Sequence, residues 1–179
     1  MKHVLAVAAT LAFACFVCSA PAVAEESSPA PEIKKWDALV GHWSNEEQHR
    51  NSEKDPWVKV NSEWDVRFAP GGFFVETPGK ITLSDGEVSW IQVWGYDPSK
   101  KAAFSRWFDS KGAQGSLTFQ WDGRSLKVQG TDLLADGSES SVGCTWTNSE
   151  DFKSSEGVCE RLTNGKWWAF RKVKGRKTE

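Results

Sequence analysis

From Gly41 onward the chain alternates apolar and polar residues with a period of two, and it holds that period almost to its end. Successive side chains of a strand point to opposite faces, so this period marks strands with one face on a core. The alternation predicts about ten strands, over residues 42–49, 57–68, 73–77 resuming at 80–83, 87–96, 102–109, 115–121, 125–131, 138–147, 154–162 and 166–173. Pro78-Gly79 interrupts the third of these. On 87–96, Val88, Trp90, Gln92, Trp94 and Tyr96 share a face, while Ile91 and Val93 make the other face apolar too. Four Asx-Gly dipeptides punctuate the pattern: Asp85-Gly86, Asp122-Gly123, Asp136-Gly137 and Asn164-Gly165. They supply the positive φ that tight hairpin turns need. A meander of this length predicts an all-β, antiparallel up-and-down β-barrel, with a two-sheet sandwich as the alternative. Ahead of the strands, residues 33–40 predict one short helix with Trp36, Leu39 and Val40 on one side. Such a helix would lie across a barrel end.

The first residues read as an export signal. Lys2 and His3 are followed by an apolar run over 4–18 and by Ala22-Val23-Ala24, a small-x-small cleavage pattern. The run is too short to span a bilayer comfortably. Loss of residues 1–24 leaves 155 residues, enough for one domain with a full core. The expected organisation is a disordered leader over 25–32, a barrel domain over 33–174 and a frayed tail over 175–179. The expected location is periplasmic or secreted. Formal charge moves from −2 to −3 on cleavage, because only Lys2 is lost. That mild acidity argues against a nucleic-acid partner, which needs a basic face. The rest of the chain has no apolar run long enough to cross a membrane.

Cys15 and Cys18 fall within the signal, and Cys144 and Cys159 remain. The latter sit symmetrically about residues 151 and 152 on a predicted hairpin. An exported protein can oxidise them, so a disulfide is expected.

Eleven Trp against one Tyr is an unusual choice. Each buried indole removes some 150–250 Å² from water, worth roughly 4–6 kcal/mol before entropy is subtracted. Most can be read as core. They can equally wall a cavity for a flat or apolar ligand, or form a sugar-stacking surface. Trp90, Gln92, Trp94 and Tyr96 make the best candidate wall. Arg106, Trp107 and Asp109 follow on the next strand. Arg106 and Trp107 point to opposite faces, so only one can face inward. An inward Arg106 would be a ligand anchor or half of an ion pair.

Catalytic arrangements find little support. His42 and His49 lie seven residues apart on one strand, on opposite faces, and cannot chelate together. Gly-x-Ser-x-Gly is absent, and no His follows position 49. No Gly-rich loop enters a helix, so a nucleotide site is unsupported. No metal or cofactor is expected. The remaining enzyme reading is cofactor-free, with a buried Asp109 or Glu160 acting beside Arg106.

A series of short motifs carries a resemblance: Gly41-His42-Trp43, Gly71-Gly72-Phe73-Phe74-Val75, Gly95-Tyr96-Asp97, Trp107-Phe108-Asp109-Ser110 with Gly112, and Asp122-Gly123. In this order, over roughly residues 35–172, they resemble a bacterial family of lipocalin-like domains of unknown function, the DUF1579 type. The resemblance implies a calycin-type barrel and no established reaction. Gly41-x-Trp43 also resembles the opening of true lipocalins, which implies a stacking contact between Trp43 and Arg171 of the last strand. Haem-binding relatives of similar shape use a late His, which this chain lacks. The expected function is therefore an exported barrel that binds a small apolar or aromatic molecule in a Trp-lined cavity. The alternatives are a structural or interaction domain with a plugged core, and the cofactor-free enzyme.

Overall fold

A computed structural model describes residues 28–178 and turns the period-two pattern into ten strands. They are β1 (Gly41–His49), β2 (Val58–Phe68), β3 (Val75–Leu83), β4 (Gly86–Asp97), β5 (Ala102–Asp109), β6 (Gln114–Asp122), β7 (Ser125–Leu133), β8 (Glu139–Asn148), β9 (Ser154–Thr163) and β10 (Lys166–Lys177). Each pairs antiparallel with the next, and β10 pairs with β1 to close the barrel. Closure leaves no free sheet edge and rules out the sandwich. The expected export signal and the first residues of the leader lie outside the described residues.

All four Asx-Gly dipeptides lie at hairpin connections, but only Asn164-Gly165 fills both central turn positions, between Thr163 and Lys166. Both its residues have positive φ, 52° and 76°. Asp122-Gly123 sits one position early, since Asp122 pairs with Ser125. Asp85-Gly86 sits one late, since Gly86 already pairs with Leu83. Asp136-Gly137 lies inside a longer loop between Leu133 and Glu139.

Two expectations about strand limits need correction. Pro78-Gly79 does not interrupt β3, which pairs with β4 straight through Pro78↔Ile91 and Gly79↔Trp90. Only the β2–β3 ladder lapses there, between Trp64↔Gly79 and Arg67↔Glu76, because Pro78 has no N–H to donate. The tail is not frayed at 175–177: Gly175, Arg176 and Lys177 pair with Asn45, Ser44 and Trp43. Gly175 suits this position, since a Cβ there would stand 2.5 Å from Asn45 Oδ1.

The N-terminal helix is a short α-helical turn, α1 (Pro31–Lys34), running into a 3₁₀ turn over Lys35–Leu39. Ile33, Trp36 and Leu39 are buried, at the spacing of three that a 3₁₀ turn puts on one face. They plug the barrel end where β1 begins. Two indoles hold the plug by its carbonyls: Trp121 Nε1 donates to Glu32 O (3.2 Å) and Trp43 Nε1 to Leu39 O (2.9 Å). Cys144 and Cys159 are directly opposed on β8 and β9 and form a disulfide.

Candidate functional site

Three inward tryptophans each face a glycine across the ladder: Trp90 opposite Gly79, Trp107 opposite Gly115, and Trp146 opposite Gly157. The indole lies down over the missing side chain. A Cβ would come within 2.4 Å of Trp90, 1.9 Å of Trp107 and 2.2 Å of Trp146. Laid flat, the rings lie along the wall, and those of Trp90 and Trp146 border open space inside the barrel.

That space is a cavity of about 100 Å³ beneath the N-terminal plug. Trp90, Gln92 and Trp94 of β4 form one side, with Trp64 and Thr77 beside them. Trp36, Trp43, Trp121 and Trp146 complete an indole lining, and Asn148, Ser155 and Arg171 add polar groups. Trp36 leans on Trp94 at 4.5 Å between ring centroids, and Trp94 meets Phe119 edge to face at 5.3 Å. Trp94 Nε1 donates to Thr77 Oγ1 (3.1 Å), and Gln92 Nε2 to Ser105 Oγ (2.7 Å).

The remaining predicted site residues lie elsewhere. Tyr96 shares the face of Trp94 but sits past the cavity, in a separate hollow with Glu32 and Lys35 of the plug. Arg106 points out of the barrel, over the Phe104 ring at 5.7 Å, and donates to Ser105 O. Trp107 faces inward in its place and donates to Asp132 Oδ1 (3.0 Å). Asp109 folds back on its own turn, accepting from Lys111 N and Ala113 N, both at 2.9 Å. Glu160 is exposed on the outer face. Neither Asp109 nor Glu160 shares a cavity with Arg106: Asp109 lies on the opposite face of β5, and Glu160 is exposed on β9, so the structure does not bring either carboxylate to Arg106.

The polar interior centres on Glu47, to which sequence alone assigned no site role, and it draws in His49 and Arg171. On β1, Trp43, Asn45, Glu47 and His49 all point inward, by the same alternation that put Trp43 there. Glu47 is buried and receives Arg171 bidentately, Nε to Oε2 at 2.7 Å and Nη2 to Oε1 at 2.8 Å. Ser62 Oγ donates to Oε1, and His49 Nε2 stands 2.6 Å from Oε2. Arg171 thus turns to Glu47, which corrects the expected stacking on Trp43. Burial alone would raise the Glu47 carboxyl. The Arg171 charge and the hydrogen bonds from His49, Arg171 and Ser62 overcome it and hold the group far below the ordinary carboxylate range. Both oxygens are occupied, so this pair is a lock and not a proton shuttle. Asp132 is the opposite case. Burial pushes it up to about 6, only partly offset by Trp107 and by the charges of Arg161 and Arg171. Among the described residues, no group of three His, Cys, Asp or Glu is arranged to hold a metal ion.

A family model described as "Protein of unknown function (DUF1579)" matches residues 28–151. The chain belongs to this family. The DUF1579 match covers the plug and β1 to β8, and of the residues lining the cavity only Ser155 and Arg171 lie beyond it. The barrel is similar to the crystal structure of Rv2717c from M. tuberculosis, at 11% identity and a TM-score of 0.60, covering 85% of this chain and 100% of that one. At that identity the likeness is one of fold. A de novo designed fluorescence-activating β-barrel is matched at 14% identity and a TM-score of 0.42, over 79% of this chain and 95% of that one. No curated protein matches the chain in sequence.

Proposed function

We propose that this DUF1579 barrel is an exported binding module that holds a small apolar or aromatic molecule among Trp90, Gln92, Trp94 and the facing indoles. The observation that carries the reading is the indole-lined cavity under the plug, about 100 Å³ in volume. That is on the scale of the roughly 150 Å³ apolar cavity known to take benzene. It is well below the roughly 300–1,000 Å³ of a pocket for a drug-sized ligand. The occupant is accordingly about one ring in size. Export is supported by the sequence of residues 1–24 and by a disulfide of the kind that persists in oxidising compartments. No helix of the described residues is long and apolar enough to cross a membrane.

Native mass spectrometry of protein purified without detergent, beside its denatured mass, tests both parts. The expected result is a native mass raised by one small organic molecule and a denatured mass lacking residues 1–24. Failure to retain any molecule, together with unchanged tryptophan emission across a panel of single-ring aromatics, would establish the competing reading of a plugged structural barrel. The small cavity volume is what favours that second reading.

A further inference from the structure

We infer that the cavity selects an uncharged single-ring aromatic molecule bearing a carbonyl oxygen, an inference that rests on the binding role proposed above. The indole N–H groups of the cavity wall divide into paired and unpaired. Trp43, Trp94 and Trp121 each spend theirs on a protein acceptor: Leu39 O, Thr77 Oγ1 and Glu32 O. Trp36 and Trp146, on the same cavity wall, have buried Nε1 atoms with no acceptor among the described residues. Buried donors without partners are uncommon in folded proteins because each forfeits its hydrogen bond to water. Trp146 Nε1 stands 2.4 Å from where an inward Cβ of Gly157 would be, so this N–H edge lies inside the barrel. An accepting oxygen brought by the ligand supplies what these donors lack.

Charge narrows the class further. Arg171 is the charged side chain on the cavity wall, and the Glu47 carboxylate already answers it through two hydrogen bonds. A carboxylate ligand would find no unpaired cation, and an ammonium ligand no carboxylate. The indole faces call for a flat molecule, and the volume admits one ring.

The test is calorimetric titration of the intact, disulfide-bonded protein with three probes of one size. Acetophenone carries the carbonyl. α-Methylstyrene has the same shape with CH₂ in place of oxygen. Benzoate carries the charge. Acetophenone is expected to bind about tenfold or more tighter than either of the others. Trp146→Phe, which keeps an aromatic face and removes the N–H, is expected to erase that preference, so that acetophenone and α-methylstyrene bind within about threefold of each other. Trp36→Phe provides the same comparison should the first variant not fold. Equal affinity for acetophenone and α-methylstyrene would overturn the carbonyl assignment and leave the cavity's binding role intact. Tightest binding of benzoate would overturn the uncharged class. A preference for acetophenone that survives both substitutions would overturn the role of these two donors. Binding of none of the three would overturn this inference, and with an unoccupied native mass it would remove the proposed function as well.

Discussion

Arg171 of β10 grips both carboxylate oxygens of Glu47 on β1, at 2.7 and 2.8 Å, inside a barrel whose cavity wall is rich in indoles. The pair spans the seam where the last strand meets the first. A buried pair contributes little net stability against well-packed apolar residues, but removing one partner strands the other charge. Glu47→Gln is therefore expected to cost about 3–5 kcal/mol in urea denaturation. The double variant Glu47→Leu/Arg171→Met should recover most of that loss. A Glu47→Gln protein within about 0.5 kcal/mol of the parent would show that the pair is not what closes the seam.

Asp132 and Glu47 should give stability opposite slopes with pH. Asp132 holds its proton up to about 6 in the fold and loses it near 3.9 when unfolded, so its contribution is full below about 3.9 and is lost as pH rises to about 6. Glu47 is depressed in the fold, so its contribution is full above about 4.3 and is lost as pH falls below that. Denaturation midpoints measured from about pH 3 to 8 should show Asp132→Asn flattening the fall between about 4 and 6. An unchanged profile in that variant would assign the fall to other groups.

Gly157→Ala would place a methyl group 2.2 Å from the Trp146 ring. The ring must leave the wall, and overpacking of this kind typically costs about 1–3 kcal/mol. The expected signs are lower stability and shifted tryptophan emission, read by thermal melts and fluorescence. A neutral substitution would mean that the indole does not lie over the glycine in solution.

Reduction of Cys144–Cys159, or Cys144→Ser/Cys159→Ser, is expected to lower stability by roughly 3 kcal/mol, with the far-ultraviolet dichroism of the barrel retained. The ladder between β8 and β9 carries the register independently, through pairs from Val142↔Arg161 to Asn148↔Ser155. Loss of strand signal on reduction would show that the bridge, and not the ladder, holds these strands.

Trp36 is the plug's main anchor, in contact with Trp94, Phe119 and Trp121 at 4.5, 6.2 and 5.7 Å between centroids. Trp36→Ala should cost about 3–5 kcal/mol and raise hydrogen exchange first in residues 31–39. Exchange rising equally through β1 to β10 would mean that the plug does not open on its own.

Much of the architecture was legible because a strand's period is two and a hairpin's turn chemistry is local. The ten strands, the plug and the opposed cysteines all follow from patterns within a few residues of each other. So did the placement of Trp90, Gln92 and Trp94 on one face, since positions two apart must share it. What misled was equally local. Pro78 read as a break because a missing N–H is visible in sequence, whereas a ladder to β4 that tolerates it is not. Gly175 to Lys177 read as a loose end because Asn45 and Trp43, their partners, lie far away along the chain.

The alternation, and with it which residues of one strand travel together, is written in the chain itself. It leaves open which of two faces is inside where both are apolar or both carry a charge. Closure of the barrel decided that Trp107 faces in and Arg106 out, that Arg171 meets Glu47 and not Trp43, and that Trp146 lies over Gly157. These are choices between residues far apart in the chain. They are set by cross-strand register and by the cost of burying a charge unpaired, and neither exists until the strands are joined.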